Sequence, residues 1–341
     1  MIDNIIQWSL SNRLLVIVFS ALVVIWGSVE ASNMPVDVFP DLTAPTVTVV
    51  TEAHGLTPDD VERMIATPIE SSLNGATKVR RVRSVIAEGI AIVKVDFDWG
   101  VPLLSARQVV SERLQLASPL LPEEADTPII GPMTSVMGEI LFLGLTTERD
   151  DIDRMELGSI AKWNVARRLL AVPGVAQVMP LGGDTKQYQV RLDPYKLNAL
   201  GLRAEDVAGA LEQASENMPA GFMREGGTEK LIVGIGRIQT VDDIAESYIT
   251  TRGETPILVK DVAQVHIGPA IRRGDGGINQ RPGVVIGIRK QPDVNTLALT
   301  TDLERALAQI NQGLPEGVVL HTDLFRQADF ISLAIENVTA A

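Results

Sequence analysis

Cysteine is absent from the sequence, which removes thiol nucleophiles, thiolate zinc sites and disulfides together and leaves the fold to core packing. No run of basic residues exceeds a dipeptide such as Arg80-Arg81 or Arg272-Arg273, and the formal net charge is -13. Nucleic acid is thereby excluded as a partner, because phosphate binding needs clustered lysine and arginine. The catalytic signatures G-x-x-x-x-G-K-S/T, H-E-x-x-H and G-x-S-x-G are missing. Histidine is scarce: His54, His266 and His321 share no helical spacing. Gly274-Asp275-Gly276-Gly277 is glycine-rich but does not sit between a clear strand and helix, so it reads as a connecting loop and not a phosphate cradle. These gaps point away from an enzyme and away from any cofactor.

What is present is a chain that is 45% apolar with only 4% aromatic residues and a mean hydropathy of +0.17. That is high for a soluble protein and low for a polytopic membrane protein. At 341 residues it exceeds the size of a single core, so more than one compact unit is expected. The apolar excess gathers at the start, where Leu14 to Val29 are uncharged. As a helix they span about 24 Å, short of a hydrocarbon core of about 30 Å unless Ala31 to Met34 prolong the helix through the headgroups. Arg13 precedes the segment, whereas Glu30, Asp37 and Asp41 follow it. The positive-inside rule then places the N-terminus in the cytoplasm and the bulk of the chain outside. Ile2, Ile5, Ile6 and Leu10, with Trp8 beside them, suit a short helix on the cytoplasmic leaflet. Val29-Glu30-Ala31 also resembles a signal-peptidase site, and that alternative exports the same residues.

Beyond the apolar segment the pattern alternates. Thr46 to Val50 is a β-branched strand, and Thr57-Pro58-Asp59-Asp60 starts a helix with an N-cap, a proline at the first position and acids in the first turn. Val61, Met64, Ile65, Ile69 and Leu73 form its apolar face. Strands at Val79 to Ile86 and Ile90 to Phe97 follow, then a helix from Pro102 to Ala117 expected to bury Leu104, Val109, Val110 and Leu114, and a strand at Pro128 to Ile130. This β-α-β-β-α-β order is the ferredoxin-like pattern. A second unit begins alike, with strand Glu139 to Thr146, an acidic start at Asp150-Asp151-Ile152-Asp153, a helix to Leu170 and strand Val175 to Met179. Its remainder returns as strand Gly283 to Ile288, helix Thr296 to Ile310 and strand Val318 to His321. Between lies an inserted α+β subdomain with helix Ala204 to Glu216 and strands near Tyr188 to Leu192, Leu231 to Ile235 and Ile257 to Ile267. Core positions are Val61, Ile65, Ile69, Val109 and Leu114 in the first unit, and Ile160, Val165, Leu169, Leu303 and Leu307 in the second.

The order and several residue strings resemble the first half of the resistance-nodulation-division (RND) efflux permeases. The strings are Pro35-Val36-Asp37 with Phe39-Pro40-Asp41, Pro68-Ile69-Glu70, Gly131-Pro132 with Gly138-Glu139-Ile140, and Gly182-Gly183 with Tyr188-Gln189-Val190, Asp193-Pro194 and Leu197. The stretches Gly131 to Ile140 and Gly182 to Leu197 are similar to the heavy-metal subgroup. The resemblance implies a surface helix and transmembrane helix at 1–34, porter subdomain PN1 at 35–133, and PN2 at 134–186 and 274–328. It further implies a docking subdomain DN at 187–273 and the start of a return to the membrane at 329–341. Implied partners are the remaining half of the permease, two further copies in a homotrimer, a periplasmic adaptor (membrane fusion) protein, an outer-membrane channel and the lipid bilayer. The implied location is the bacterial inner membrane, with the bulk periplasmic. Pro219 to Gly236 falls where the family has its intersubunit arm, which makes Pro219, Phe222 and Arg224 the expected oligomer and docking contacts and the arm a short one.

Metal-ligating candidates are sparse. Met133 with Met137, and Met218 with Met223, are soft pairs that suit a monovalent copper or silver ion, although methionine also fills apolar gaps. Asp96 and Asp98 alternate along a strand and suit a hard cation or a solvated edge, whereas Glu148, Asp150, Asp151 and Asp153 precede a helix and suit capping of its dipole. Leu14 to Val29 holds no ionisable residue for a proton relay. The expectation is the N-terminal portion of a proton-driven metal-cation efflux permease, not competent to transport alone. A multidrug-type permease fragment and a membrane-anchored periplasmic binding or assembly module are the alternatives.

Overall fold

The structure is a computed structural model, and it describes residues 8–33, 44–134, 138–149, 151–215, 218–225, 228–234, 238–272 and 274–340. The surface helix expected at Ile2, Ile5 and Ile6, the strings at 35–41, and Met137 and Asp150 lie outside the described residues.

The elements run α1 (Arg13–Asn33), β1 (Thr46–Glu52), then α2, which joins Pro58–Val61, a π-helical Glu62–Ala66 and Thr67–Asn74. β2 (Val79–Ala87), β3 (Ile90–Phe97), α3 (Leu103–Ala117) and β4 (Ile129–Ile130) complete the first group. β5 (Glu139–Thr147) leads to α4, which joins Arg154–Ser159, a π-helical Ile160–Ala166 and Arg167–Leu170, and then to β6 (Val175–Gly182). There follow β7 (Lys186–Leu192), α5 (Pro194–Leu200), α6 (Ala204–Ala214), β8 (Met218–Glu225), β9 (Thr228–Gly234) and α7 (Val241–Ala245). Next come β10 (Tyr248–Arg252), β11 (Thr255–Leu258), α8 (Val259–Val262), β12 (Ala263–Pro269), β13 (Gly277–Ile278) and β14 (Arg281–Pro282). The chain closes with β15 (Val284–Lys290), α9 (Thr296–Gln312), β16 (Val318–Arg326) and α10 (Gln327–Ala340).

The 21 residues of α1 give a helix of about 32 Å, because Glu30 to Asn33 continue the turn past the apolar stretch. Its Arg13–Glu30 window has a mean hydropathy of 2.0 and is not buried. Among the described residues this is the one helix long and apolar enough to cross a membrane.

Two compact units hold the chain: Met1–Glu148 with Ala161–Leu181 and Val285–Ala341, and Arg149–Ile160 with Gly182–Val284. The first unit carries two four-stranded sheets, ordered β2-β3-β1-β4 and β16-β5-β15-β6. In the first sheet β1 lies antiparallel to both β3 and β4, with Val47 opposite Val95 and Val49 opposite Val93 and Ile130. Alternation then sends Val47, Val49, Val93 and Val95 to one side. They meet Ile65, Ile69 and Leu73 of α2 and Ala106, Val110 and Leu114 of α3 in one buried cluster. Val109 packs against that cluster half-buried. In the second sheet Leu143, Leu145, Ile286 and Ile288 are fully buried, as are Val165, Leu169 and Leu303 from the covering helices, with Ile160 and Leu307 nearly so.

Helix starts follow the expected chemistry. Thr57 Oγ1 accepts from the Asp60 amide at 3.4 Å, and Asp153 accepts from the Glu156 amide at 2.8 Å. Three expectations need correction. Leu104 is exposed because it precedes Ala106 by two positions, about 200° around the helix from the buried stripe. Met64 is 42% exposed, since the π-helical turn shifts the facing of this part of α2. The strand expected over Ile257 to Ile267 is broken by α8, whose Asp261 accepts from the Leu258 amide at 2.8 Å and turns the chain.

In the second unit β7 pairs antiparallel with β12, and Leu197, Val207, Ile257, Val259, Val262 and Ala263 form its core. Its chain crossings are close. Gly183, at φ +70°, would place a Cβ 2.8 Å from the Gly158 Cα, so only glycine fits there. Asp184 beside it takes both Arg272 donors at 2.9 Å, and Arg154 pairs with Asp275. The Gly274 to Gly277 loop is thus tied down by an ion pair.

Candidate functional site

The faces of the two sheets turned away from their helices carry the exposed chemistry of the first unit. On the first sheet Arg81 pairs with Asp96 across β2 and β3, and Thr46 faces Asp96 from β1. Arg81 donates through Nε and Nη2 to Asp96 Oδ2 at 3.1 and 3.0 Å. Arg83 Nη2 reaches the same oxygen at 3.0 Å, and Thr46 Oγ1 donates to Oδ1 at 3.0 Å. Burial works against the charged carboxylate, but the donors from Arg81, Thr46 and Arg83 outweigh it and hold the pKa below the usual carboxylate range. Two guanidiniums therefore occupy Asp96, and it is not free to bind a cation.

On the second sheet Phe325 lies opposite Phe142, with ring centroids 5.6 Å apart, and Phe330 of α10 extends the row at 5.9 Å. Gly287 leaves room for this: a Cβ there would sit 3.1 Å from Phe142 Cε1. Opposite His321 stands Gly144, and the uncrowded imidazole reaches Thr146, Nε2 to Oγ1 at 2.8 Å. Arg289 donates to Glu139 at 2.8 and 3.1 Å. Phe142 and Phe325 are half-buried and Phe330 is exposed, and polar groups edge this row of rings.

Of the methionine candidates, Met133 is half-buried next to Thr134, which with Pro45, Thr46, Trp99, Pro102 and Pro292 lines an open cleft. Met218 and Met223 both lie on β8, opposite Gly234 and Lys230 respectively, which separates their backbones by about 16 Å. The β8–β9 hairpin exposes Phe222 and Met223, and Arg224 pairs with Glu229 at 2.8 Å; Pro219 stands opposite Val233. Asp151 pairs with Arg149 and Asp153 caps α4, so these two acids serve local structure.

One group escaped sequence reasoning. Glu52, His54 and Asp126 bring one ligand atom each within 4.8 Å of one another. Glu52-x-His54 on one strand end was a legible half-signal, since alternate residues share a face. Asp126 joins them only through the fold.

With this geometry in place, comparison defines the class. The model of the AcrB/AcrD/AcrF family matches residues 5–341, and the chain belongs to that family of RND permeases. Its relatives include metal-resistance and cation-efflux proteins. It is 31% identical over 344 residues to Protein HelA of Legionella pneumophila, covering 99% of this chain and 32% of HelA. It is 31% identical over 369 residues to the nickel and cobalt resistance protein CnrA of Cupriavidus metallidurans, covering 99% and 34%. The cation efflux system protein CusA of Escherichia coli K12 is 29% identical over 341 residues, covering 99% and 32%. A crystal structure of a heavy metal efflux pump superposes with a TM-score of 0.85 at 26% identity, covering 98% of this chain and 33% of the pump. The chain thus spans about a third of the length of these relatives, and its mixed α/β fold with one apolar N-terminal helix matches theirs.

Proposed function

We propose that this chain is the N-terminal portion of a proton-driven permease that exports metal cations, contributing part of the periplasmic substrate channel and a docking surface. The observation that carries the reading is the chain-wide match, at a TM-score of 0.85, to a heavy metal efflux pump. Strand orders β2-β3-β1-β4 and β16-β5-β15-β6 support reading both sheets as ferredoxin-like porter subdomains, PN1 at 35–133 and PN2 at 134–186 with 274–328, and 187–273 as the docking subdomain DN. The flanking charges of α1 support a cytoplasmic N-terminus and a periplasmic bulk in the inner membrane. The phenyl row Phe142, Phe325 and Phe330 is the channel wall of this half.

Transport itself needs the rest of the permease. Proton coupling requires ionisable groups within the bilayer, and Leu14 to Val29 contains none. Alternating access requires two repeats moving about a central site. Partners in this reading are the second half, two further copies, an adaptor and an outer-membrane channel, with Pro219, Phe222 and Arg224 on the docking side. The short hairpin makes trimer contact through it weak, so disulfide cross-linking from Arg224→Cys to a neighbour is expected to be inefficient.

The test is growth under cobalt, zinc, silver and hydrophobic-drug challenge in an efflux-deficient strain. Residues 1–341 alone are expected to confer no tolerance, and the same residues supplied with the remaining portion are expected to restore tolerance to a metal. Tolerance from 1–341 alone, or restored tolerance to drugs only, overturns the proposal.

A further inference from the structure

We infer that Glu52, His54 and Asp126 form a capture site for a divalent transition-metal cation of the zinc, cobalt or nickel type at one end of the first sheet. The inference rests on the metal-export reading above and narrows its cargo class.

The geometry is built from two separate segments. Glu52 ends β1, and His54 follows two residues on, to the same side. Asp126 arrives from the segment before β4, and its amide donates to the Glu52 carbonyl at 2.8 Å. The neighbouring residues Ala53 and Ala125 bridge antiparallel, and the Ala53 amide donates to Gly89 at 2.8 Å. The three side chains are therefore presented from a backbone held in register. His54 Nε2 lies 3.9 Å from Glu52 Oε2, too long for a hydrogen bond. Donors bound to one zinc-like ion at about 2.1 Å each stand about 3 to 3.5 Å apart, so small rotations of exposed side chains complete the set.

The charge balance points the same way. Asp96 faces Arg81 and Arg83, and Asp184 faces Arg272. Among the described residues, in contrast, no arginine or lysine pairs with Glu52 or Asp126. Two carboxylates within 4.8 Å of each other, neither paired with an arginine or lysine among the described residues, are an arrangement that a divalent ion relieves. The donor set selects which ion. An imidazole nitrogen with two carboxylates suits zinc, cobalt and nickel; magnesium and calcium favour all-oxygen shells, and monovalent copper and silver favour sulfur. The side chains of His54 and Glu52 are 82% and 55% exposed, so water fills the remaining positions and the ion exchanges readily. That fits a site that must release what it captures.

The experiment uses the full 341-residue chain in detergent, titrated with cobalt(II) alone and followed by its visible d–d absorption. One cobalt per chain is expected, and a large excess of magnesium should leave it bound. His54→Ala should weaken binding at least about tenfold and change the spectrum as a nitrogen donor is lost; Asp126→Asn and Glu52→Gln should each weaken it, and His266→Ala should not. All three positions are exposed, so these variants fold. Unchanged affinity in His54→Ala, displacement by magnesium, or no saturable cobalt binding overturns the inference. The two readings fail separately. A reconstituted permease that exports cobalt while His54→Ala binds like the parent sinks this site alone. A chain that binds cobalt here while the permease exports no metal sinks the export reading alone.

Discussion

Replacing Asp96 with asparagine tests the charge cluster on the first sheet. The amide would keep the shape and still accept from Thr46, but Arg81 and Arg83 would lose the carboxylate that both now contact. Hydrogen bonds to a charged partner are worth about 1.5 to 3 kcal/mol each. Both arginine side chains are at least half exposed, at 59% and 50%, so water screens much of that and the expected loss is about 2 kcal/mol in total. The sign with pH follows from the depressed native pKa of Asp96. Its stabilisation is fully present above the unfolded value of about 3.9 and disappears as pH falls through the lower native value. Urea unfolding of the detergent-solubilised chain, read by native-state hydrogen exchange of β3 amides, measures the difference between parent and Asp96→Asn. It should be full at pH 7 and shrink below about pH 4. A difference under about 0.5 kcal/mol at pH 7, or one that persists unchanged at the lowest pH, refutes the reasoning.

Gly183→Ala should cost about 2 kcal/mol or more, because φ is +70° and the new methyl would meet the Gly158 Cα at 2.8 Å; loss of hydrogen-exchange protection around Gly158 is the readout. Asn295→Ala removes the cap that accepts from the Ala298 amide at 3.1 Å and should destabilise α9 by about 1 kcal/mol, measured as a lower urea midpoint with an unchanged m-value. Val23→Arg places a charge near the middle of α1, which costs about 3 kcal/mol for membrane insertion. A reporter active only outside the cytoplasm, fused after residue 341, should lose signal, and an unaffected reporter argues against α1 as a span.

Local chemistry made much of this protein readable from residues alone. The apolar run of α1, the Thr57 and Asp153 caps, the β-branched strand at Thr46 to Val50 and the repeated strand-helix-strand order each depend on neighbours a few positions away, so the sequence determines them directly. What needed the tertiary structure was everything set by long-range register. Asp96 could equally have been a cation ligand until the pairing of β2 with β3 put Arg81 opposite it. Leu104 looked like core because helical phase is uncertain until one stripe is docked on a sheet. The break at Val259–Val262 lay hidden in an apolar stretch, because the side chain of Asp261 competes with strand pairing only once the turn has formed. Glu52 and His54 share a face by their spacing, but Asp126 lies far along the chain, and only the Ala53–Ala125 bridge makes it their neighbour.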